Sequence, residues 1–150
     1  MGRMSQQITK EMWKQIEDEL SGSYASMTFQ YEGRELSIER VRVRESQTAL
    51  AVYIDGSIEW KHCHREGISD FHKAVWRKRS MAVYKEKEIK DIERIFGKRD
   101  AKKNFPNLYK RTEYLDPLFP KASVLVRQFK KLDGIQLTKA YFLNLKEEQL

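Results

Sequence analysis

Cysteine occurs once in the 150 residues, at Cys63, so no disulfide can form within the chain. A lone thiol suits a reducing compartment, and a cytoplasmic location is expected. Proline is nearly as scarce. Pro106, Pro117 and Pro120 all fall in one stretch, Asn104 to Pro120, which reads as irregular. No apolar run approaches the ~20 residues that a membrane span needs. Met1-Gly2-Arg3-Met4 leads into polar residues rather than the apolar core of a secretory signal. No membrane association is expected. Also missing are a Gly-rich phosphate loop, a Gly-x-Ser-x-Gly elbow and a paired-carboxylate pattern of nuclease type.

What the chain has in quantity is charge. Charged residues make up 34% and hydrophobic ones 40%, a balance that suits a folded domain rather than a disordered segment. A length of 150 residues fits one domain, 1–150, large enough to bury a core. The net charge of +7 is uneven. Between Lys73 and Arg111 stand 14 Lys or Arg against 5 Asp or Glu, a net of +9, so the remainder sums to −2. Such asymmetry points to an anionic partner, most plausibly nucleic acid.

Periodicity predicts an α+β fold: an antiparallel meander of four to five strands, packed with an N-terminal helix and two to three C-terminal helices. Ile8, Met12, Ile16 and Leu20 recur at helical spacing over Gln6–Leu20, with Trp13 widening the stripe. Gly22 suits the left-handed position after a helix end. Tyr24–Tyr31 alternates as a strand with Ala25, Met27 and Phe29 on one face, and Glu35–Arg44 and Thr48–Ile54 follow. Asp55-Gly56 is a hairpin signal, with Ile58–Lys61 as the return strand. Ser69 or Asp70 can cap a helix carrying Phe71, Val75 and Trp76. Lys85–Phe96 reads as a helix closed by Gly97 at positive φ. Lys121–Leu132 is taken as a helix, and Ile135–Phe142 as a last strand.

The run IFGKRDAKKNFP, Ile95 to Pro106, has companions in DGSIEW (Asp55–Trp60), YLDP (Tyr114–Pro117) and VLVRQFKK (Val124–Lys131). Together they resemble a group of small proteins encoded by bacteriophages and prophages of Gram-negative bacteria. The resemblance covers roughly residues 55–137. It implies a phage or mobile-element context, and hence the host cytoplasm, but brings no catalytic residues with it.

All three histidines and the cysteine lie in HCHREGISDFH, His62 to His72. On a strand His62 and His64 would share a face, and His72 could return from the next helix as a third metal ligand. A closed four-ligand site would need Cys63, Glu66 or Asp70 as well. The same residues, with Arg65 to hold a phosphate, are the types used by metal-free ribonucleases. Cys63 as a nucleophile would need a stabilised thiolate. Against these readings stands the plainer one, a hairpin exit and helix cap beside the basic segment.

Three basic features could grip a phosphate backbone. The first is a helical face with Lys73, Arg77, Lys78 and Arg79. The second is Lys98, Arg99, Lys102 and Lys103 beyond a helix end, paired by i, i+4 spacing if the helix continues. The third is Arg40, Arg42 and Arg44, alternating with Val41 and Val43, which could form a stripe on an open sheet. The expectation is therefore a binding protein rather than an enzyme, with no cofactor and little sequence preference. The alternatives are a protein–protein module acting on a host or defence protein, suggested by the aromatics around the prolines, and a histidine-cluster metal protein or ribonuclease.

Overall fold

The computed structural model describes residues 7–143, except for the side chain of Arg65. Thr9 starts the first helix, α1 (Lys10–Leu20), its hydroxyl accepting the Met12 N–H at 3.1 Å. Trp13, Ile16 and Leu20 are the buried stripe. Gln6, where the periodicity places the helix start, lies outside the described residues. Three strands follow, β1 (Ser26–Tyr31), β2 (Arg34–Arg44) and β3 (Gln47–Ile54), paired antiparallel in sequence order.

Further along come α2 (Asp70–Val75), β4 (Arg77–Ala82), α3 (Glu86–Asn104), β5 (Arg111–Asp116), β6 (Leu118–Phe119), α4 (Ala122–Phe129) and β7 (Gln136–Lys139). One antiparallel sheet runs β6-β3-β2-β1-β7, and β4 and β5 form a separate two-stranded sheet. The fold is mixed α+β, as the pattern predicts.

By contacts the chain divides into two units. One comprises residues up to Arg77 together with those from Leu115 onward, and the other is Lys78–Tyr114. In the larger unit one face of the sheet carries the core, and β3 also buries Ala49 and Ala51 on its other face. Met27 and Phe29, Leu36 and Ile38, and Leu50, Val52 and Ile54 alternate inward, where they meet α1 and α4. Rings link these elements: Phe29 lies 5.5 Å edge-on from Phe129, which is 6.3 Å from Phe119, while Trp13 stacks 6.3 Å from Phe29. Fully burying one such side chain stabilises by about 1.5–3 kcal/mol. The smaller unit holds β5 up to Tyr114, β4 from Lys78 and the whole of α3, and its buried residues are Ala101 and Leu108.

Several local expectations are corrected. Gly22 does not take positive φ, because α1 ends through Ser21 in right-handed helical conformation. Gly97 has the expected positive φ but kinks α3 instead of closing it, and the last strand stops at Lys139. Ile58–Lys61 does not return as a strand. After the single bridge Ile54–Ser57 the chain turns into a 3-10 helix, Trp60–Cys63. The free edge of β3 is taken instead by β6, with Phe119 opposite Leu50 and Leu118 opposite Ala51, and the Val52 N–H donates to Pro117 O at 3.0 Å. The helix begun at Ser69 stops at Val75, because buried Trp76 adopts extended backbone and its indole N–H donates to Val52 O at 3.0 Å. Arg77, Lys78 and Arg79 therefore lie on strand β4, not on a helix with Lys73. Finally, the proline-bearing stretch carries β5 and β6 rather than irregular chain alone.

Gly67 is the one residue whose missing side chain is sterically required in the loop before α2. A Cβ there would sit 1.8 Å from Lys61 O and 2.6 Å from its carbonyl carbon, both backbone atoms. Gly67→Ala must therefore displace the loop. We expect a loss of about 1–3 kcal/mol, read from the urea midpoint, and an unchanged midpoint would contradict this packing.

Candidate nucleic-acid interface

The charge follows the division of the chain. Lys78–Tyr114 contains 12 Lys or Arg against 6 Asp or Glu, a net of +6, whereas all remaining residues hold 17 against 16. Within the smaller unit α3 divides the charge again. Gly97 at φ 79° and ψ 155° kinks the helix, an outlay of conformational strain that glycine makes small. Before the kink, Glu86–Phe96 carries three cations against four acids, and two ion pairs lie along it, Lys90–Glu86 at 3.4 Å and Arg94–Asp91 at 3.1 Å. Beyond it the helix resumes, so Lys98 and Lys102 share a face, as do Arg99 and Lys103, with Asp100 the single acid. All four cations are exposed, while Ala101 between them is fully buried and anchors the segment.

The other arginines have different surroundings. Arg77 pairs with Asp116 at 3.4 Å and is partly buried. Lys78 and Arg79 are exposed on β4, and the Arg79 guanidinium lies 5.8 Å from the Tyr114 ring. Arg111 is committed to the strand pair, donating to the Ser80 hydroxyl at 3.0 Å and to Ser80 O at 3.1 Å.

Arg40, Arg42 and Leu36, Ile38 have the same parity on β2, so the arginines continue the core face past its end rather than lining the opposite one. Arg40 donates to Leu20 O at 2.5 Å, Gly22 O at 2.8 Å and the Thr48 hydroxyl at 3.0 Å. It thereby satisfies carbonyls left open at the C-terminus of α1. Arg42 and Arg44 are exposed. The opposite face of β1 and β2 bears Ser26, Thr28, Gln30, Glu35, Ser37 and Glu39, a hydroxyl and carboxylate surface.

Of the three histidines, the structure brings two together. His62 on the 3-10 turn stacks on His72 of α2 with ring centroids 4.0 Å apart and planes 17° off parallel. A metal ion must lie in the plane of each ring that binds it, and two parallel planes this far apart offer no common point. Both His62 nitrogens already face acceptors, Nδ1 toward Gly67 O at 2.7 Å and Nε2 toward Glu59 Oε2 at 3.1 Å. His72 Nδ1 lies 2.6 Å from the Ser69 hydroxyl, which also accepts the His72 backbone N–H and so caps α2. His64 is exposed, on extended backbone after the turn. Among the described residues no group of three or more His, Cys, Asp or Glu is arranged to hold a metal. Cys63 is buried, and burial first, then the Asp116 carboxylate, pushes its thiol up, away from a reactive thiolate. The cluster acts as a clasp that holds the loop after β3 against Trp76, whose ring is 4.9 Å from His72.

Two aromatics of the basic unit, Phe96 and Tyr109, are 44% and 49% exposed. Periodicity puts Phe96 on a helix face, and Tyr109 is one of the aromatics around the prolines that suggest a protein-binding surface. Exposure of an aromatic depends on what packs over it, and periodicity does not carry that information. Among the described residues no helix is long and apolar enough to cross a membrane.

His72 supplies a pH test. Burial, followed by the nearby His62 and Arg34 and opposed by Glu59, brings its pKa down from 6.5 to about 4. The unfolded chain takes up this proton below about pH 6.5 while the folded one resists it, so the stability present above that pH is lost on falling toward 4. The loss amounts to roughly 3 kcal/mol. Urea unfolding at pH 7.5 and 4.5 should show a smaller difference for His72→Gln than for the parent chain, and equal differences would refute the assignment. Comparison with protein-family models, with curated proteins and with solved structures returned no match.

Proposed function

We propose that this chain is an accessory protein of the phage or mobile-element kind that binds nucleic acid through its smaller, basic unit, without catalysis and with little sequence preference. The observation that carries the reading is the coincidence of two independent divisions. The segment separated by its contacts is also the segment that holds +6 of the chain's +7. A solvated helix with random lysines would not need its net positive charge confined to one side of a glycine kink, where four cations meet a single acid. Here Lys98, Arg99, Lys102 and Lys103 stand on one short helical segment with Ala101 as its anchor. Close cations of this sort release counterions when they meet phosphates, and that release drives non-specific affinity. The resemblance of the same stretch to small phage proteins supports the setting.

A second reading, a protein-binding module that acts on a host factor, draws on the exposed apolar side chains of the same unit, Met81, Val83 and Ile95. It would leave complexes that resist nuclease.

The nucleic-acid reading is tested by titrating DNA and RNA at several salt concentrations. The parent chain should lose affinity steeply with salt. Substituting Lys98, Arg99, Lys102 and Lys103 together by Ala should weaken binding at least ~10-fold and make the slope of log K against log salt shallower by about 3. Negligible binding at low salt, or a variant that binds like the parent, would sink the proposal.

A further inference from the structure

We infer that the basic unit takes single-stranded nucleic acid in preference to duplex, with Phe96 and Tyr109 as stacking platforms for bases. The inference rests on the nucleic-acid reading above and specifies its ligand. Phe96 is the last residue before the glycine kink, immediately preceding the cationic segment, and packs against Phe105 with ring centroids 5.5 Å apart. Phe105 lies just past the C-terminal end of that segment and also meets Tyr84 at 6.5 Å. The ring contact thus joins the residues that bracket the kink and the helical segment Lys98–Asn104. Tyr109 is held by its hydroxyl, which donates to the Glu93 carboxylate one turn before Phe96.

These rings are not the unit's interior, whose buried residues are Ala101 and Leu108. About half of the Phe96 and Tyr109 surface remains open to solvent. A duplex hides the faces of its bases and presents phosphates and groove edges, so it leaves such rings without a partner. A single strand offers both bases for the rings and phosphates for the lysines. Of the acids in this region, Glu93 is occupied by Tyr109, and Asp100 alone accompanies the four cations.

The test is fluorescence anisotropy with labelled strands of about 15 nucleotides, using oligo-dT, oligo-rU and a DNA duplex of equal length. Single strands should bind at least ~10-fold tighter than duplex, and dT against rU separates DNA from RNA. Phe96→Leu and Tyr109→Leu keep apolar bulk but remove the ring. Each should weaken single-strand binding roughly 5- to 100-fold while leaving the salt slope and duplex affinity unchanged. Phe96→Tyr keeps the ring and should bind like the parent, and an unchanged duplex affinity and urea midpoint in the Leu variants exclude a folding defect as the cause. Equal or tighter duplex binding, or Leu variants with parental affinity, would overturn the single-strand inference while leaving the electrostatic reading in place. Failure of every probe to bind would remove both.

Discussion

The larger unit depends on Trp76. Its buried indole donates to Val52 O on β3, and its own carbonyl accepts from Gln128 Nε2 of α4 at 2.7 Å. The same Gln128 nitrogen reaches Ala74 O at 2.8 Å, so one amide ties the end of α2 to α4. His72 lies against the indole and carries His62 with it. Sheet, two helices and the loop after β3 therefore meet around one residue. The indole N–H and the carbonyls of Ala74 and Trp76 all have partners, which keeps the buried junction from costing those unmet hydrogen bonds. The chain also changes conformation at this point. Extended backbone at Trp76 ends α2 and opens the strand that leads to the basic unit.

That junction explains why the histidine cluster is structural. The stacking of His62 on His72 and the hydrogen bonds to Gly67, Glu59 and Ser69 engage the rings with the protein itself. Arg34 belongs to the same network, bonded to Asp55 at 2.9 Å and lying over the Phe71 ring at 4.9 Å. The function proposed here rests instead on the unit with little core and much charge. A short segment with few buried residues can keep its cations exposed because it has little apolar surface to hide.

Local signals were read correctly where the cause is local. The Ser69 cap, the positive φ at Gly97 and at Gly56, and the inward face of β1 follow from side-chain chemistry within a few residues. The cationic run beyond Gly97 was legible for the same reason. Elsewhere the deciding partner is distant in sequence. Phe119 and Leu118 occupy the β3 edge that Ile58–Lys61 was expected to take. Arg40 alternates as a surface arginine would, yet Leu36 and Ile38 set the parity of its strand and the end of α1 supplies its acceptors.

The α+β class, the Ser69 cap, the positive φ at Gly97 and the gathering of positive charge are legible along the chain, because each arises from neighbouring residues. Tertiary structure decided that α2 stops at Trp76, that two histidines stack instead of ligating, and that Phe96 and Tyr109 stay exposed. Those outcomes depend on which surfaces meet across the fold, and packing between distant segments leaves no periodic mark in the sequence.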